Sequence, residues 1–184
     1  ESFVPSNNDG GISRYKFEGD VSDSWGFNDG TNNGVSFVDG VYGQAGSFNS
    51  SDNDSVEIPH DSSLDLSGGN FTVSFWSKYD SSNSVNSIIA KRDETVEYQF
   101  WVDGNASEMQ YSSDNSGSAS ASINTSTEEW IHTVWVYDGD MNLYADGSLK
   151  NSVSTGGGAS STANFLIGRA GETGKHYDST IDDI

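Results

Sequence analysis

Residues 95–103, TVEYQFWVD, alternate so that chemistry collects on one side of a strand. Val96, Tyr98, Phe100 and Val102 share one face, and Glu97, Gln99, Trp101 and Asp103 share the other. Trp101 therefore sits among amide and carboxylate groups, where a core residue is not expected. A flat indole in that setting can pack on the C–H face of a sugar while its neighbours bond the hydroxyls. The same alternation places Trp76 with Thr72, Ser74 and Lys78, and Tyr144 with Asn142 and Asp146. Trp101, Gln99, Trp76, Tyr144 and Asn142 are the candidate ligand-binding residues. The competing reading is that these rings pack under loops or flank a sheet edge.

Spacing suited to catalysis is missing. A retaining glycosidase needs carboxyl groups about 5–5.5 Å apart. Glu94 and Glu97 are three apart and point to opposite faces of a strand, and the adjacent Glu128 and Glu129 diverge. His60, His132 and His176 are scattered, and no Ser-His-Asp arrangement follows from their positions. The chain has no cysteine, so neither a disulfide framework nor a zinc–thiolate site is possible. Gly156-Gly157-Gly158 is a turn, since a phosphate loop needs a following Lys-Ser/Thr and a helix. No enzymatic activity is expected. Five Asn-x-Ser/Thr sequons, at Asn49, Asn53, Asn70, Asn105 and Asn124, are consistent with a glycosylated surface protein. In a chain rich in Asn and Ser, several arise by chance.

The elements that position these residues are strands. Trp130 to Tyr137 is rich in β-branched and aromatic residues, and Asp138-Gly139 is a turn dipeptide. Met141, Leu143 and Ala145 then alternate with Asn142, Tyr144 and Asp146, and Asp146-Gly147 marks another turn. Helix periodicity is nearly absent, and Gly, Ser, Asn and Asp clusters interrupt every run. Strands are expected near 12–18, 35–38, 45–49, 55–58, 70–79, 85–91, 95–103, 107–112, 118–124, 130–146 (a hairpin), 149–154, 163–169 and 179–184. A long loop is expected over 19–34, and 70–79, 85–91 and 95–103 are expected in one sheet. At 184 residues this is one domain. The expected division is a linker over 1–11 and an all-β domain over 12–184, a sandwich or barrel.

Charge is the other strong feature. There are 28 acidic and 8 basic residues, a net of −20. At about 1 M salt the Debye length is roughly 3 Å, so repulsion among surface carboxylates is largely screened. In dilute buffer it opposes compaction. The balance points to a halophilic, high-salt source and argues against nucleic acid or anionic membranes as partners. No run of 18 apolar residues exists, so direct membrane insertion is not expected.

Motifs along nearly the whole chain resemble laminin-G-like domains of the concanavalin A type. Tyr15-Lys16-Phe17-Glu18-Gly19-Asp20 looks like the opening strand and Asp23-Ser24 like the acidic loop after it. Gly43-Gln44-Ala45 with Ser47-Phe48, Val56-Glu57-Ile58-Pro59, and Leu64-Asp65-Leu66 with Phe71-Thr72-Val73-Ser74-Phe75-Trp76 are similar to successive family steps. So are the 130–147 hairpin, Ile167-Gly168-Arg169 and Thr180-Ile181-Asp182-Asp183-Ile184. The family usually continues past that last motif, so the final strand is expected to be truncated here. The resemblance implies a two-sheet antiparallel β-sandwich, a jelly roll. Glucanases of this fold carry an E-x-D-x-E triplet on one strand, and this chain has none.

The resemblance also implies a structural calcium where the first and last strands lie side by side. Glu18 and Asp20 would then approach Asp182 and Asp183, with Asn49 and loop carbonyls completing an oxygen shell. Trp76, Trp130 and His132 would hold fold-related positions. The expected role is a non-catalytic extracellular recognition module, on a cell or virion surface, binding glycans or a glycosylated surface protein. The alternatives are an assembly or spacer domain contacting neighbouring subunits, and an accessory module of a larger hydrolase.

Overall fold

The computed structural model describes residues 10–79, 85–92, 96–103, 108–113, 117–123, 128–156, 162–170 and 175–184. The expectations for residues 1–9 of the linker, and for Glu94, Asn105, Asn124, Gly157 and Gly158, lie outside them.

The described chain is nearly all strand. In order these are β1 (Thr31–Asn33), β2 (Ser36–Asp39), β3 (Gln44–Phe48), β4 (Ser55–Ile58), β5 (Phe71–Tyr79), β6 (Val85–Arg92), β7 (Val96–Asp103) and β8 (Glu108–Ser113). They continue as β9 (Gly117–Ser122), β10 (Trp130–Tyr137), β11 (Met141–Ala145), β12 (Ser148–Val153), β13 (Phe165–Ile167), β14 (Arg169–Ala170), β15 (Lys175–His176) and β16 (Ser179–Asp182). One seven-stranded sheet runs β1-β4-β13-β6-β7-β8-β9 and the other β12-β11-β10-β5-β16-β3-β2, with β14-β15 as a separate pair. Every pairing is antiparallel. This is the two-sheet sandwich expected of a jelly roll.

The 130–147 segment folds as its pattern requires. Ile131, Thr133 and Trp135 on β10 and Met141, Leu143 and Ala145 on β11 are buried, and the residues between them are not. Ala145 pairs with Ser148 across Asp146 and Gly147, which both have positive φ, 49° and 71°. That is the backbone of a two-residue type I′ hairpin, which glycine adopts without strain. Aromatic rings then join the layers. Trp135 and Phe75 of the second sheet lie 5.2 Å apart, and Trp135 lies 4.9 Å from Phe100 of the first. Phe100 packs 5.1 Å from Tyr111 on β8.

Three expectations are corrected. The 70–79 strand is not in one sheet with 85–91 and 95–103: β5 sits between β10 and β16 in the second sheet, whereas β6 and β7 lie in the first. The 12–18 strand reduces to a bridge between Tyr15 and Asp23 and a pair of backbone bonds with the chain end. Tyr15 N donates to Ile184 O at 2.9 Å and Ile184 N to Tyr15 O at 3.1 Å. Phe17, at φ 57°, cannot continue an extended ladder. The loop expected over 19–34 contains β1.

Candidate functional site

The outward face of the second sheet carries several aromatic residues that lie outside the core. Trp76 on β5 and His132 on β10 are cross-strand partners, and their rings stack at 4.8 Å and 25°. His132 Nε2 lies 2.9 Å from Ser74 Oγ. Tyr42, in the loop between β2 and β3, meets Trp76 edge-on at 6.3 Å and is 57% exposed. Tyr144 on β11 lies opposite Val134, which lies opposite Ser74, so these three continue the same face across three strands. Trp76, His132 and Tyr144 are half-buried. Asn142 stands beside this row, its amide donating to Asp138 Oδ1 at 3.1 Å and to Asp140 O at 3.3 Å. The face thus offers flat rings at fixed height with hydroxyl and amide groups between them, which suits the alternating apolar and polar edges of a sugar.

Of the five candidate ligand residues, three share this face, on successive cross-strand rows: Trp76, Tyr144 and Asn142. Trp101 and Gln99 do not join them. Both are on β7 in the first sheet, with Phe100 between them pointing into the core. Trp101 is half-buried on the outer side of that sheet, the opposite surface of the sandwich. Gln99 is buried at 2% exposure. Its amide is not presented to a ligand. Sequence reading missed Tyr42 and gave His132 only a fold role. The alternation of His132 with Ile131 and Thr133 was legible, but its pairing with Trp76 was not.

The Ser74–His132 contact does not extend to a triad through Asp146. The Asp146 carboxylate accepts from the His132 backbone N–H at 3.0 Å and so is committed to the turn.

The five acidic and amide residues expected to hold calcium have divergent duties. Asp183 forms a two-bond pair with Arg14, at 2.6 and 2.8 Å. Asp183 and burial act on Arg14 in opposite senses, and the carboxylate prevails, raising the guanidinium above its ordinary value. Asp20 accepts from Ser22 Oγ at 2.6 Å and Ser22 N at 3.0 Å, which hold it below the usual carboxylate range. Asn49 caps the short turn Ser50–Asp52, accepting from Ser51 N at 2.9 Å and donating to Asp52 at 2.7 Å. These three do not fit a shared cation shell. Among the described residues no three His, Cys, Asp or Glu side chains gather as a metal group.

Asp182 and Glu18 are different. Asp182 is fully buried; its Oδ2 accepts from Val41 N at 2.8 Å and Tyr42 N at 2.9 Å, and its Oδ1 has no partner. Burial pushes this carboxyl up, the two backbone bonds oppose that, and the nearby Asp183 and Glu18 charges add to the rise. Glu18 accepts from Gln44 N at 3.2 Å. The 40–43 loop wraps both carboxylates. A Cβ on Gly40 would stand 2.7 Å from Asp182 Oδ2, and one on Gly43 would overlap the Glu18 carboxylate.

A model of the concanavalin A-like lectin/glucanases superfamily matches residues 49–184. No curated protein matches the chain. Among solved structures, the binding domain of botulinum neurotoxin serotype D is similar at 18% identity and TM-score 0.73, over 99% of this chain and 48% of that one. The serotype D ligand-binding domain in complex with N-acetylneuraminic acid is similar at 18% and 0.72, over 96% and 47%. The binding domain of Paraclostridial Mosquitocidal Protein 1 is similar at 17% and 0.67, over 84% and 42%. The chain spans about half the length of these structures, and at such identities the likeness is one of fold. With the family match covering most of its length and the two-sheet sandwich beneath it, the chain belongs to the concanavalin A-like lectin/glucanase superfamily.

Proposed function

We propose that this domain is a non-catalytic glycan-recognition module of a larger extracellular protein, and that the outward face of the second sheet is its platform. The observation that carries this is the Trp76–His132 stack, flanked by Tyr42 and Tyr144, on a face the core does not need. The similar solved structures are binding domains, one in complex with N-acetylneuraminic acid, which supports the reading. The platform is rigid because β10 and β5 pair over eight residues, so little conformational entropy is lost on binding. The test is a glycan array on the wild type, Trp76→Ala and Trp101→Ala, each checked for fold by circular dichroism. Binding lost in Trp76→Ala and retained in Trp101→Ala supports the platform. Loss in Trp101→Ala alone moves the site to the other sheet. Absence of wild-type binding favours an assembly domain.

Calcium at the junction of the chain ends is part of the same proposal. Asp182 and Glu18 are the two expected ligands whose placement suits it. A hard dication would supply a partner for the orphaned Asp182 Oδ1 and draw the 40–43 loop, and with it Tyr42, against the sheet. Calcium should raise the melting temperature of the wild type above its value in chelator, and Asp182→Asn should abolish the difference. A wild type indifferent to calcium would remove the ion from the proposal and leave the platform standing.

A further inference from the structure

We infer that the platform continues into a cavity at Lys78, and that the recognised glycan is a neutral chain of at least two sugar units, the second held there by its hydroxyls. This rests on the platform reading and names the ligand class for it. Strand register carries the argument. Trp76 and Lys78 leave β5 on the same face, two residues and so about 6.6 Å apart. Neighbouring rings of a sugar chain are spaced similarly. Lys78 lies opposite Trp130 of β10 on one side and Thr180 of β16 on the other, and Thr180 lies opposite Ser47 of β3. This cross-strand row is the next one along the face from the Trp76–His132 pair. Tyr144 belongs to the row on the other side of that pair, opposite Val134 and so level with Ser74. Tyr144, Trp76 and Lys78 thus mark three successive rows of one track.

A cavity of about 390 Å³ opens on the Lys78 row. Lys78, Thr180 and Ser47 line it from the sheet, and Glu128 and Asp178 from the segments leading into β10 and β16. Lys78 is half-buried, and among the described residues its ammonium joins no ion pair. It can therefore donate to a ligand oxygen, in a bond stronger than one between neutral groups. The carboxylates accept from hydroxyls, and the Ser47 and Thr180 hydroxyls do either. A sugar ring with hydroxyls on adjacent carbons uses both kinds of partner. A charge on the ligand gains little here. A carboxylate or sulfate would meet Glu128 and Asp178, and an amine would meet Lys78.

The test is titration of the 184-residue protein with the monosaccharides and β-1,4-linked disaccharides of glucose, galactose and mannose, and with sialyllactose. For the sugar that binds best, the disaccharide should bind about tenfold more tightly than its monosaccharide. Lys78→Met and Thr180→Val, on two different strands, should each shrink that ratio severalfold, and Lys78→Arg should restore most of it. Lys16→Met removes the same charge from an exposed position and should leave the ratio intact. Melting temperatures of the variants check that each is folded. Equal affinity for mono- and disaccharide overturns the inference but leaves the platform. So does a ratio that survives both Lys78→Met and Thr180→Val, which would place the second unit elsewhere. Tightest binding of sialyllactose overturns the neutral class. If none of these sugars binds, the platform reading fails together with the inference.

Discussion

At the scale of single residues, the site depends on pairs that alternation alone does not reveal. His132 supports the Trp76 ring from the neighbouring strand, and such ring pairs contribute about 0.5–1.5 kcal/mol beyond their buried area. His132→Ala should therefore destabilise the domain by about 1 kcal/mol and weaken glycan binding, because the indole loses its fixed height. Ser74→Ala removes only the hydroxyl at His132 Nε2 and should leave binding nearly unchanged. Thermal melts with titrations on both variants check this, and a larger binding loss in Ser74→Ala would point to a role for the Ser–His pair that the platform does not include. Trp101, the residue the sequence singled out first, has the right neighbours by alternation and stands on the wrong sheet for Trp76. Facing direction is a local property of a strand; the company a side chain keeps across strands is not.

At the scale of elements, the strand boundaries were largely legible because each is bounded by glycine or a turn residue. The 55–58 strand is β4 as expected, and the 130–146 hairpin pairs with the register its turns dictate. Sheet membership was not legible. β5, β6 and β7 follow one another in sequence, yet the chain crosses from one layer to the other after β5. The two layers approach closely at Gly168, which follows β13 with φ 86° and donates to Ile88 O at 2.9 Å. A Cβ there would overlap the Phe48 ring of the opposite sheet. Gly168→Ala should cost about 1–3 kcal/mol, combining the left-handed backbone with overpacking. Denaturant melts would measure it, and a neutral result would mean that Phe48 can yield. In the hairpin, Leu143 is fully buried, so Leu143→Ala should cost about 2–5 kcal/mol.

At the scale of the whole molecule, charge and buried phenols set how stability responds to solvent. With a net charge of −20, the melting temperature should rise between about 0.1 M and 1 M sodium chloride, as the Debye length falls from roughly 10 to 3 Å. A flat response would show that the carboxylates are spaced too widely to repel. Burial is the largest influence on Tyr15, Tyr79 and Tyr177, and raises all three. The unfolded chain ionises its tyrosines near pH 10, while the folded chain holds these three protonated to higher pH. Stability is therefore unaffected by them below that point and falls as pH rises through it. Tyr177→Phe removes the hydroxyl that reaches Thr180 O and Lys78 O at 3.3 and 3.4 Å, and with it the buried ionisation, so it should move the alkaline unfolding midpoint upward. The sequence by itself determined the strand class, the turns, the acid balance and which side chains face away from the core, because these follow from period-two alternation, backbone propensity and composition. Only the tertiary structure decided that Trp76 meets His132 and Tyr42 while Trp101 lies on the far surface. It also decided that Asp182, among the described acids near the chain ends, buries an oxygen without a hydrogen-bond partner. Strand order and loop wrapping are set by contacts between residues far apart in the chain, and local pattern carries no record of them.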